Sequence, residues 1–148
     1  MPFDVKVGAA REVVRPLALL PMRGFEEMGR RVNEYLLRWT TDPESDTLLT
    51  FPGFDKNSFI IEAECPRFGT GEAKGMIRSS VRGYDLYILC DVTNYSVTYP
   101  MYGIKSHMSP DDHFADLKRL IAACGNKPHR INVIMPFLYE GRQHRRNG

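Results

Sequence analysis

Two short apolar runs bracket one strongly punctuated helix, and this arrangement limits what the chain can fold into. The first run is Leu86-Tyr87-Ile88-Leu89-Cys90 and the second is Ile131-Asn132-Val133-Ile134-Met135. Runs that do not alternate with charge suit strands covered on both faces, as in parallel sheets. Between them Ser109 can cap a helix and Pro110 takes its first position. Asp111 and Asp112 sit where the helix dipole favours negative charge. Phe114, Leu117, Ile121 and Cys124 share one face, and Gly125 supplies the residue that ends the helix. Strand, helix and strand in this order read as a parallel βαβ unit with a right-handed crossover. The expected class is α/β, a mostly parallel sheet flanked by helices. A chain of 148 residues has the length of a single domain.

The upstream sequence supplies further elements. Residues 1–16 read as an extended or loose arm ending at Pro16, and Leu17 to Pro21 as a first buried strand. Gly24 to Trp39 reads as an amphipathic helix, with Phe25, Met28, Val32, Leu36 and Trp39 in one stripe. Glu26–Arg30, Glu27–Arg31 and Glu34–Arg38 are candidate i,i+4 pairs on it. Thr40 to Asp46 reads as a polar loop and Thr47 to Phe51 as a strand stopped by Pro52-Gly53. From Phe59 to Cys65, apolar residues alternate with Glu62 and Glu64, the pattern of a half-buried strand. Pro66 to Gly71 reads as a turn-rich loop, and Glu72 to Arg78 as a strand interrupted by Gly75. Thr93 to Met108, with Tyr95, Tyr99 and Tyr102, is expected to be a long loop, and such loops are usually functional or form interfaces.

Composition removes several classes of function. The formal net charge is +2, too balanced for a nucleic-acid coat or a membrane-adsorbed helix. No apolar run reaches the ~18–20 residues of a membrane span, and Met1 to Lys6 does not open a secretory signal. Cys65, Cys90 and Cys124 are odd in number and widely spaced, which argues against disulfides and for a reduced, cytoplasmic setting. The basic excess is local. Residues 127–148 carry five Lys or Arg against Glu140 alone.

Three places offer chemistry. Phe68-Gly69-Thr70-Gly71-Glu72 is either a plain turn or an exposed aromatic beside a hydroxyl and an acid. A phenyl ring can stack on a base while the polar pair reads its edge. Tyr139 to Arg146 follows a strand with Arg142, Gln143, His144, Arg145 and Arg146. An arginine-rich loop at the carboxyl end of a strand can clamp polyphosphate, a solvated basic tail reads equally from charge alone, and a nucleic-acid contact is the third option. His107, Asp111, Asp112 and His113 invite a metal, but the histidine spacing is wrong for one helix face and the aspartates already suit a cap, so no metal site is expected.

In order and spacing these pieces resemble the N-terminal half of ribose-phosphate pyrophosphokinases, in a divergent bacterial branch. The resemblance is carried by Phe68 and Glu72, then Ser80-Val81-Arg82-Gly83 and the strand at Leu86. It continues through Asp111-Asp112, Leu117-Lys118-Arg119, Arg130 to Tyr139 and Arg142-Gln143, and so spans roughly Leu17 to Arg146. It implies a phosphoribosyltransferase-type α/β domain over residues 17–148. It also implies diphosphate transfer from ATP to ribose 5-phosphate with Mg²⁺, and a homo-oligomer. By the same resemblance Phe68 packs on adenine, and Glu72 reads its edge across a subunit boundary. Thr70 stands where the family commonly has asparagine, and Arg142 and Gln143 contact ATP. Ser80 and Arg82 match a phosphate and ADP effector site of the allosteric members. The catalytic and metal-binding half of such an enzyme is not within these residues, so the chain by itself is expected to be inactive. A non-catalytic nucleotide-binding or regulatory relative is the rival reading, and a nucleic-acid-binding module using the C-terminal arginines is the third.

Overall fold

The computed structural model describes residues 3–7, 10–41 and 56–142. The expected strand at Thr47 to Phe51 and the residues Gln143 to Arg146 lie outside them. The centre is a parallel three-stranded sheet of β3 (Leu17–Pro21), β6 (Asp85–Leu89) and β9 (Arg130–Ile134), in the order β3-β6-β9. Leu17 pairs with Asp85 and Asp85 with Arg130, and both pairings are parallel, as expected for the βαβ unit. Helix α2 (Pro110–Cys124) makes the crossover. Ser109, Pro110 and Gly125 take the expected cap positions, and Asp112 adds a reciprocal bond that completes a capping box. The Ser109 hydroxyl accepts from the Asp112 backbone N–H, the Asp112 carboxylate accepts from the Ser109 N–H, and Gly125 ends the helix in the left-handed region.

The core lies between α2 and one face of this sheet. Ala18, Leu20, Leu86, Ile88 and Cys90 pack there against Leu117, Leu120 and Cys124. The inward face of α2 differs from the expected one. His113 and Asp116 are buried on it, and Ile121 is partly exposed.

Helix α1 (Glu26–Thr41) departs more sharply. Met28, Tyr35 and Trp39, two of them in the expected apolar stripe, are exposed, while Gly29, Asn33 and Thr40 face inward. The reason is local. A Cβ at Gly29 would lie 2.5 Å from that of Pro21, so glycine lets the helix close onto β3. Asn33 Oδ1 accepts the Phe59 N–H at 2.7 Å and ties the helix to the next chain segment. Of the expected charge pairs, Glu27 keeps an electrostatic interaction with Arg31, while Glu26 accepts the Gly24 N–H instead. Arg30 reaches both Glu27 and Glu34, one turn to either side.

The alternation from Phe59 to Cys65 shows in burial, with Phe59 and Ile61 inside and both glutamates outside. A continuous strand does not form. Ile60 bridges to Leu19 on the free edge of β3, and only β4 (Ala63–Glu64) then pairs with β5 (Met76–Ile77). The segment changes partner midway, so neither ladder grows long. The expected strand at Glu72 to Arg78 likewise shortens to β5. Residues 93–108 are not a structureless loop. They carry an antiparallel hairpin, β7 (Thr98–Met101) and β8 (Ile104–His107). The N-terminal arm also pairs, as β1 (Phe3–Val7) with β2 (Ala10–Val14).

Candidate functional site

Phe68, Thr70 and Glu72 come together in one tight turn closed by the Arg67–Ala73 bridge. The Phe68 N–H donates to the Glu72 carbonyl at 2.7 Å and the Gly71 N–H to the Phe68 carbonyl at 2.9 Å. The Thr70 hydroxyl donates to a Glu72 carboxylate oxygen at 3.1 Å. Phe68 remains 59% exposed on this fixed backbone. The result is a flat apolar ring beside an oriented acid and hydroxyl, a surface suited to stacking a base and hydrogen-bonding its edge.

Arg67 holds the turn, and the sequence gives no hint of it. Its side chain is only 5% exposed. One guanidinium nitrogen donates to the Gly71 carbonyl at 3.0 Å and another to Asp116 at 2.9 Å. The guanidinium carbon lies 4.5 Å from the centre of the Tyr99 ring. A single cation thus joins the turn, the hairpin and α2. Asp116 also accepts from Arg119 at 2.7 Å. Burial raises the pKa of this carboxyl, and the two guanidiniums pull it the other way. The hairpin meets the turn directly too. The Tyr102 N–H donates to the Gly69 carbonyl at 2.7 Å, and Met101 closes on Gly71, whose φ is +93°.

The other expected nucleotide contacts stand elsewhere. Arg142 ends the described chain, on the turn where the Gly141 N–H donates to the Leu138 carbonyl, with its guanidinium over Phe137. Tyr139 anchors this turn by stacking on Phe114 and donating its hydroxyl to Asp111 at 2.6 Å. That bond to a carboxylate pushes the phenol pKa up to about 12. Ser80 and Arg82 adjoin each other on a cleft of about 570 Å³, which Lys74 and Lys127 also line. Three cations and hydroxyls around such a cleft suit an anion.

The four residues that suggested a metal have other partners. His107 stacks on Tyr95 and donates to its carbonyl. His113, buried, donates to the Asn94 carbonyl at 2.9 Å. Asp111 and Asp112 bind Tyr139 and the Ser109 cap. Among the described residues no group of three His, Cys, Asp or Glu side chains is placed to hold a metal ion. Burial lifts the thiols of Cys65 to about 12 and Cys90 to about 11, which makes them poor nucleophiles. No helix among the described residues is long and apolar enough to cross a membrane.

A parallel three-stranded sheet with a helical crossover and a second helix against it defines an α/β domain of the phosphoribosyltransferase type. The model of the N-terminal domain of ribose phosphate pyrophosphokinase matches residues 17–148, nearly the whole chain, and the chain belongs to that family, a transferase family of nucleotide biosynthesis. Proteins from two strains of Streptococcus pneumoniae, both provisionally named ribose-phosphate pyrophosphokinase 2, are each 32% identical to it over 80 residues. That stretch is 53% of this chain and 21% of each relative, so the matched part spans about a fifth of the curated proteins. No solved structure matches the chain significantly.

Proposed function

We propose that this domain supplies nucleotide-binding surfaces of a ribose-phosphate diphosphokinase. In this reading the anomeric hydroxyl of ribose 5-phosphate attacks the β-phosphorus of ATP. The bond between that phosphorus and the oxygen bridging to the α-phosphate breaks, AMP leaves, and the hydroxyl proton passes to solvent. Such a transfer needs aligned substrates and neutralised charge more than covalent help from the protein. Phe68, Glu72 and Thr70 would hold the adenine, and Arg142 with Gln143 the phosphates. Mg²⁺ would travel with the nucleotide and offset phosphate charge. Ser80 and Arg82 would take an anionic effector, and the active form would be a homo-oligomer.

The observation that carries this reading is Phe68, an exposed phenyl ring on a turn whose backbone is hydrogen-bonded into one shape, in a chain of this family. The test is AMP release from ATP and Mg²⁺, with and without ribose 5-phosphate, in the protein as the cell makes it. Release should require ribose 5-phosphate, and Phe68→Ala should raise the KM for ATP about 5- to 100-fold. A well-folded protein that releases no AMP would leave a regulatory or purely binding relative.

A further inference from the structure

Resting on that nucleotide reading, we propose that Tyr102 forms a second aromatic face of the base-binding surface begun by Phe68. The β7–β8 hairpin turns through only two residues, Tyr102 and Gly103, with φ of 49° and 77°. Two positive φ values are the pattern of a type I′ turn, where asparagine and glycine are favoured at the first position. A tyrosine there gains nothing for the turn, and its side chain is not used by the core, since Tyr102 is 75% exposed. The ring is nonetheless carried on a tightly fixed backbone.

That backbone is fixed to the candidate site itself. The Tyr102 N–H is bonded to the carbonyl of Gly69, the residue next to Phe68. The hairpin below it is held by Met101 against Gly71 and by Tyr99 under the Arg67 guanidinium. Two exposed aromatic residues, from segments far apart in sequence, are thus held on adjoining stretches of backbone. A purine has two π-faces and a polar rim, so a ring from each segment, with the Tyr102 phenol as donor or acceptor, can engage one base. The ligand class is a purine nucleoside triphosphate, with Tyr102 contributing to recognition of the base rather than of the phosphates.

Calorimetric titration with ATP and with inorganic tripolyphosphate tests this, alongside thermal melting, in the protein as the cell makes it. Tyr102→Asn suits the turn better, so the melting temperature should hold or rise. ATP affinity should nevertheless fall about 5- to 100-fold, as for loss of a stacked ring. Tripolyphosphate affinity should stay the same, and Tyr102→Phe should keep most of the ATP affinity. If Phe68→Ala weakens ATP and Tyr102→Asn does not, Tyr102 is a turn residue only and the nucleotide reading stands without it. If neither substitution changes ATP affinity, or the unaltered protein binds ATP no better than tripolyphosphate, base recognition at this turn fails and Tyr102 fails with it.

Discussion

Two turns carry the candidate nucleotide contacts, and they are held in different ways. The turn at Leu138 to Arg142 is anchored by Tyr139, which follows β9 closely and reaches the first turn of the helix beside that strand. The turn at Phe68 to Glu72 depends on residues 30 to 50 positions away, namely Tyr99, Tyr102 and Asp116. The first turn is tied to β9 and the neighbouring helix through Tyr139, whose N–H also donates to Met135, whereas the second is one corner of a network with a buried cation at its middle. Networks of this kind rigidify a site when every member is satisfied and fail together when one is lost. The Phe68 turn should therefore respond to changes far from it, and the Arg142 turn should not.

The largest break is expected from Asp116→Ala. It strips the carboxylate from a guanidinium that is almost wholly buried, and breaking a buried pair typically costs about 3–5 kcal/mol. Denaturant unfolding should show that loss. Glu64→Ala is the control, because its Arg78 pair is solvent-exposed and should be worth at most about 1 kcal/mol. Equal effects from the two would mean that the Arg67 network does not anchor the turn.

A smaller effect is expected from Asp112→Ala, which removes half of the capping box and the 3.4 Å contact from the Tyr99 hydroxyl. At neutral pH the cost should be about 1 kcal/mol. Burial works against the Asp112 charge, but the hydrogen bonds from Ser109, the Arg67 charge and the Tyr99 hydroxyl together hold the pKa below the ordinary carboxylate value. A lowered folded pKa gives stability that is present above the unfolded pKa, about 3.9, and lost as pH falls through the folded one. The stability gap between the unaltered protein and Asp112→Ala should therefore close in acid, below about pH 4. A gap that stays constant into strong acid would show that Asp112 is not ionised in its cap.

The central βαβ unit was legible because its signals are local. Ser109, Pro110, Asp112 and Gly125 act within a turn of the helix ends they mark, and their chemistry does not depend on the rest of the fold. Helix α1 was legible as a helix but not in its orientation. Periodicity finds an apolar stripe, yet the close approach of Gly29 to Pro21 and the bond from Asn33 to Phe59 choose the face that turns inward. The hairpin at 98–107 was hidden because Pro100 and Lys105 break its pattern and the turn uses tyrosine where asparagine is expected. Phe68, Thr70 and Glu72 are singled out by family resemblance, and the structure gathers them in one turn. Arg67 could not be singled out, since its partners are set by tertiary contact, 49 residues away in the case of Asp116.

The most direct test of the account is amide hydrogen exchange in the protein as the cell makes it, with and without saturating ATP. Slower exchange on ATP binding is expected at residues 67–72 and 101–103 together, with the interior amides of β6 unchanged. Protection that falls elsewhere and leaves both the Phe68 turn and the hairpin tip untouched would contradict it.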